Sequence, residues 1–117
     1  MELARVAARA ADEGKGNEPI ILDVSDTIVI TDAFVITSAA NTRQVRALAE
    51  AIEEAVKDAG GNGPVATEGL ADATWILLDF AGFVVHVFLD ETRKFYALER
   101  LWGDAPIVAW ETVGASR

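Results

Sequence analysis

The stretch TWILLDFAGFVVHVFL, Thr74 to Leu89, decides how this chain folds. It holds two apolar runs of strand length, Thr74 to Phe80 and Phe83 to Leu89, rich in β-branched and aromatic residues. Only Ala81 and Gly82 separate them, so they read as the arms of a tight antiparallel hairpin. Side chains alternate across a strand, and a two-residue turn fixes which ones face each other. Asp79 then lies opposite Val84, Leu77 opposite His86, and Trp75 opposite Phe88.

One face of this hairpin carries Ile76, Leu78, Phe80, Phe83, Val85 and Val87, has no polar group, and is expected to meet the core. The other mixes Trp75, Leu77 and Phe88 with Asp79 and His86. Aromatic anchors beside polar groups that stay wet suit a binding surface, and the same composition also suits a second core layer. His86 is the single histidine, and it reads more readily as a hydrogen-bonded structural residue than as a base, a metal ligand or a pH switch.

Toward the N-terminus, the clearest helix runs from Thr42 to Ala59 and gathers Val45, Leu48, Ala49, Ile52 and Val56 into one apolar stripe. Asn41 with Gln44 resembles a capping box, and Gly60-Gly61 ends the helix. Its other face, with Arg43, Arg46, Glu50, Glu53, Glu54 and Lys57, reads as solvated. Two buried strands precede it, Ile20 to Val24 and Ala33 to Ser38, and a short strand follows near Val65 to Glu68. A weaker first helix sets Leu3, Val6 and Ala10 on one side and stops at Gly14 to Gly16. A last helix is expected from Glu91 to Leu101. Strands joined partly by a hairpin and partly through a helix make an α/β (α+β) fold, a mixed five-stranded sheet flanked by helices. One domain over residues 1–106 and a C-terminal tail over 107–117 are expected.

With 117 residues there is room for one core, and 51% hydrophobic against 25% charged residues is a globular balance. No cysteine is present, which excludes disulfides, thiolate zinc sites and a cysteine nucleophile together. Met1 to Gly14 lacks the basic start and apolar run of a secretory signal. No stretch approaches the roughly 20 apolar residues of a membrane span, so the cytoplasm is the expected location. The net charge of -9 argues against nucleic acid as the main partner, because phosphate binding draws on clustered Lys and Arg. A basic partner suits it better.

Catalytic constellations are largely missing. Ser25 with Asp23 and Asp26, and Thr31 with Asp32, are residue types that turns favour on conformational grounds alone. No nucleophile elbow places a serine near His86. Gly60-Gly61-Asn62-Gly63 follows a helix and lacks the Lys-Ser/Thr ending of a phosphate loop. A carboxylate metal site from Asp23, Asp26, Asp32 and Asp79 is the weakest of the candidates, and no metal and no cofactor are expected.

Three segments together resemble the ribosomal silencing factor family, also called the Iojap or YbeB-like family. They are ILDVSDTIVITDAFVITSAANTRQVRALA (Ile21 to Ala49), EGLADATWILLDFAGFVVHVF (Glu68 to Phe88) and FYALERLWGDAP (Phe95 to Pro106), which span most of the chain between Ile21 and Pro106. Departures are small: Asn41-Thr42 stands where many relatives carry two serines, Leu89 replaces a common polar residue, and Ile107 to Arg117 runs past the usual end.

The resemblance implies a nucleotidyltransferase-like fold without the catalytic signature, since Ser38 is followed by Ala39 and Ala40 and no Asp-x-Asp pair occurs on a following strand. Fold alone licenses no activity, so no enzyme is expected. The resemblance implies that the chain binds the large ribosomal subunit through its ribosomal protein number fourteen. There it would block joining of the small subunit and repress translation when nutrients run out. The family's contact surface falls on Trp75, Asp79 and Phe80, with His86, Phe88 and Tyr96 close by, and Leu77 shares the face derived above. Family members can self-associate, and the resemblance leaves open whether the free protein is a homodimer. The rival readings are a nucleotide- or metal-binding enzyme on the same fold and a generic acidic adaptor.

Overall fold

The computed structural model describes residues 1–111. Its elements run α1 (Glu2–Glu13), β1 (Asn17–Asp23), β2 (Ala33–Ala39), α2 (Thr42–Asp58), β3 (Ala66–Glu68), β4 (Trp75–Asp79), β5 (Phe83–Leu89), α3 (Asp90–Tyr96), α4 (Leu98–Leu101) and β6 (Ile107–Val108). The strands form one mixed sheet in the order β3-β4-β5-β2-β1-β6. β2 and β5 pair in parallel, and every other pairing is antiparallel. The parallel pair sits at the centre because the chain leaves β2 through α2 and returns through the β4–β5 hairpin. All seven residues of β2 are buried, the condition of a central strand covered on both faces.

Helix α2 forms as its pattern predicts: the Asn41 side chain accepts the Gln44 backbone N–H at 2.9 Å, and Val45, Leu48, Ala49, Ile52 and Val56 are buried. The helix ends at Ala59, and Gly60 then takes a φ of +97°, which glycine adopts without a Cβ penalty. Helix α1 turns a different face inward from the one expected. Ala4, Ala7, Ala8, Ala10 and Ala11 are buried, while Leu3 and Val6 are only half-buried. It is wedged between α2 and β1, and alanine lets backbones approach where larger side chains would hold them apart.

The sheet has six strands, one more than expected. Ile107 and Val108, placed above in the tail, pair with Leu22 and Ile21 of β1. Trp110 Nε1 donates to the Pro19 carbonyl at 2.9 Å, and Arg5 Nε donates to the Ala109 carbonyl at 2.9 Å. Ile107 and Val108 are thus the edge strand of the sheet, while 112–117 lie outside the described residues.

The last helix is broken in two at Ala97, which sits in the left-handed region with φ 47° and ψ 53°. The break lets Glu99 turn back to Arg93, Nε to Oε2 at 2.8 Å, a contact that residues six apart on a continuous helix do not make. Arg93 is itself buried and donates to the Asn17 and Glu18 carbonyls at 2.8 and 2.9 Å and to Ser38 Oγ at 3.2 Å. It thereby clamps the irregular start of β1, where Glu18 has a φ of 39°, to the end of β2.

The sheet carries a core on each face. α1 and α2 cover an aliphatic and alanine-rich one that includes Ile76, Leu78, Val85 and Val87. On the opposite face Leu22, Val24, Phe34, Ile36 and Phe88 are covered by Ile28, Leu98, Trp102 and Ala105.

Candidate functional site

The hairpin has the register read from its sequence: Trp75 pairs with Phe88, Leu77 with His86 and Asp79 with Val84. Its turn is short because Phe80 N–H donates to the Phe83 carbonyl at 2.9 Å and Ala81 accepts a φ of 73°. The Asp79 carboxylate takes the Ala81 backbone N–H at 2.8 Å, so it shapes the turn while remaining half-exposed. Before the hairpin, Gly69 has a φ of +85°, and a Cβ there would collide with the Trp75 carbonyl oxygen. Only glycine lets the chain pass so close to the base of β4.

Aromatic rings line the face opposite α1 and α2. Phe34 meets Trp102 edge-on at 5.6 Å and His86 edge-on at 4.7 Å. Trp75 lies 4.8 Å from Phe88 and 4.8 Å from Tyr96, and Tyr96 meets Phe95 at 5.0 Å. Exposure rises along this row: Phe88 is sealed, Trp75 is half-buried, Tyr96 is 49% and Phe95 80% exposed. Trp75, Phe95 and Tyr96, with Thr74, Glu91 and Thr92, line an open cleft of about 450 Å³.

His86 ties the row together. The Trp75 Nε1–H donates to His86 Nδ1 at 3.1 Å, so Nδ1 is the acceptor and the neutral ring carries its proton on Nε2. Burial pushes the His86 pKa down from 6.5 to about 4, because a sealed site disfavours the imidazolium. Nε2 has no partner among the described residues.

The expected site residues therefore divide into three groups. Trp75, Leu77 and Asp79 share a half-exposed strip on β4, and Tyr96 joins it from α3 through the Trp75 ring. His86 and Phe88 point to the same side but are 5% and 0% exposed, so they form a second core layer and no open surface. The cover is α4 and the segment around Trp102, elements distant in sequence from the hairpin. Phe80 lies on the other face, stacked on Phe83 at 4.8 Å, as strand alternation requires and the carried-over contact set did not. Phe34, Leu98, Trp102 and Phe95 belong to the aromatic face and were not singled out. The four-residue spacing of Leu98 and Trp102 was the available signal for the covering pair.

Other polar groups are spent on structure. Asp23 Oδ1 accepts both the hydroxyl and the backbone N–H of Ser25, at 2.6 and 3.0 Å, which lowers its pKa and makes the pair a local turn. Among the described residues no group of three or more His, Asp or Glu side chains is placed to hold a metal ion. A cleft of about 630 Å³, lined by Asn17, Ser38, Asp90, Arg93 and Arg100 among others, opens over the Arg93 clamp. Ser38, where a transferase signature would stand, is there as an acceptor for Arg93. No helix among the described residues is long and apolar enough to cross a membrane.

The family model described as "Ribosomal silencing factor during starvation" matches residues 1–117. The chain belongs to this family. It is 36% identical over 112 residues to a ribosomal silencing factor from Halalkalibacterium halodurans, covering 96% of this chain and 95% of that one. A mouse relative named mitochondrial assembly of ribosomal large subunit protein 1 is 33% identical over 84 residues, covering 70% of this chain and 37% of the relative. Among solved structures, a crystal structure of a Chromobacterium violaceum protein superposes with a TM-score of 0.82 at 34% identity, covering 87% and 84% of the two chains. Translation repression and ribosome association follow from membership of the silencing factor family.

Proposed function

We propose that this chain binds the large ribosomal subunit through ribosomal protein number fourteen, bars the small subunit from joining, and so represses translation when nutrients run out. The observation that carries this reading is the half-exposed strip of Trp75, Leu77 and Asp79 with Tyr96, set on a hairpin whose backbone is fixed by the central sheet. A rigid strand bearing an aromatic anchor beside a carboxylate has the makeup of a protein-binding centre. Exposed Phe95, 80% open and lining the same cleft, extends it with apolar area. The net charge of -9 steers the chain toward a basic ribosomal protein and away from neighbouring RNA phosphates. The mouse relative's name, which refers to assembly of the large subunit, supports the choice of subunit.

Sedimentation tests it. The protein is expected to travel with isolated large subunits and to be absent from small subunits and from preassembled ribosomes, whose joined subunits cover the site. Equal recovery in all three fractions would sink the reading. Added before the subunits meet, the protein should slow their association in proportion to occupancy. Inhibition of already elongating ribosomes at the same dose would contradict a steric block.

A further inference from the structure

We propose that His86 is a positioning residue: from behind the binding strip it fixes the indole of Trp75 in the orientation that a partner meets. This rests on the strip being the binding surface. His86 is only 5% exposed, so it cannot itself make a substantial contact with a partner. Its one hydrogen bond among the described residues is the acceptance of the Trp75 Nε1–H at Nδ1, 3.1 Å away. The rest of its surroundings are apolar and aromatic, with Phe34 edge-on at 4.7 Å and Phe88 stacked at 6.2 Å. A polar ring in such a place is costly unless its hydrogen bond does something an aliphatic side chain could not.

What it does is remove the freedom of the indole. Trp75 is held between Phe88 and Tyr96, each at 4.8 Å, ring contacts that give the indole N–H no acceptor. The bond to His86 selects one orientation, because Nε1 is the indole's only polar atom. An anchor fixed in advance loses less conformational freedom when a partner arrives. Burial keeps the imidazole neutral, and with the proton on Nε2 the Nδ1 lone pair is always available. His86 thus acts on the partner through Trp75, from inside the second core layer.

The test compares His86→Phe, His86→Asn and Trp75→Ala for melting, for affinity to isolated large subunits, and for the tryptophan indole N–H resonances. The Trp75 resonance is identified by its loss in Trp75→Ala. Phenylalanine keeps the ring and removes the acceptor, whereas the asparagine oxygen can stand where Nδ1 stood. His86→Phe is expected to bind roughly tenfold more weakly, to shift the Trp75 indole resonance and to speed its hydrogen exchange, with His86→Asn recovering most of the affinity. Wild-type affinity in His86→Phe, alongside lost affinity in Trp75→Ala, overturns the positioning role alone. Should His86→Phe fail to fold, the wild-type protein decides. A Trp75 indole proton that exchanges as fast as a solvent-exposed indole overturns the proposal, and a protected one upholds it. Full affinity in Trp75→Ala is the separate signature of a wrong binding surface, and the positioning role falls with it.

Discussion

The two faces of the central sheet are both apolar and both covered, yet they are built for different ends. The face under α1 and α2 is filled by aliphatic residues and alanines, with Ile76, Val85 and Val87 sealed and no polar side chain among the hairpin residues. The face under α4 and Trp102 sets the rings of Phe34, Phe88, Trp75 and Trp102 among Leu22, Val24 and Ile36, contains the single histidine, and ends in an open strip. Two long helices can close a whole face, whereas a four-residue helix and a loop close only part of one. The smaller cover leaves Trp75, Leu77 and Asp79 half-exposed on a strand whose other side is wholly buried. A surface supported in this way inherits the rigidity of the core without being part of it.

Truncation on the two faces should separate them most sharply. Ile76→Ala, on the sealed face, is expected to lower stability by about 2–5 kcal/mol by opening a cavity. Leu77→Ala, one residue along and half-exposed, should cost about 1 kcal/mol, since less of its surface is removed from water. Denaturant melts of the pair measure the contrast, and equal losses would mean that the aromatic face is as closed as the other.

Acid should weaken the aromatic face through His86. His86 titrates at about 4 in the folded chain and at about 6.5 when unfolded, so between these values the unfolded chain binds the extra proton. Its contribution to stability is whole above pH 6.5 and is lost as the pH falls toward 4, on the order of 3 kcal/mol. Folded His86→Phe should show a flatter dependence over this window, and a slope unchanged by the substitution would assign the acid sensitivity elsewhere.

Trp75→Ala should divide its effect between stability and binding, as neither sealed-face nor fully exposed residues do. Loss of a central aromatic anchor is expected to cost about 2 kcal/mol in binding, roughly thirtyfold, to isolated large subunits. Its melting point should fall less than that of Ile76→Ala. A variant that melts as early as Ile76→Ala, or that binds as the wild type does, would remove Trp75 from the strip.

The smallest effect tests the far edge of the sheet, where Trp110 packs against the core under α1 and α2. Trp110→Phe keeps a ring and removes the bond to the Pro19 carbonyl, and is expected to cost about 1 kcal/mol in stability with affinity for large subunits unchanged. Weakened binding in this variant would extend the functional surface to β6.

The hairpin register, the α2 stripe with its Asn41 cap, and the identity of the sealed face were legible in the sequence, because each depends on residues within a turn or two of one another. Alternation and helical spacing are local rules, and they also placed Trp75, Leu77 and Asp79 on one side of β4. Tertiary structure decided the rest. That His86 and Phe88 are closed while Trp75 stays half-open depends on Leu98 and Trp102 arriving over β5. Their arrival depends on a helix break at Ala97 and on the reach of Glu99 back to Arg93. The sixth strand likewise exists because the Pro106 carbonyl accepts from Asp23 and Ile107 finds Leu22, partners more than 80 residues apart in the chain. Periodicity reports which side of an element a residue occupies, and only packing between distant elements settles whether that side meets water.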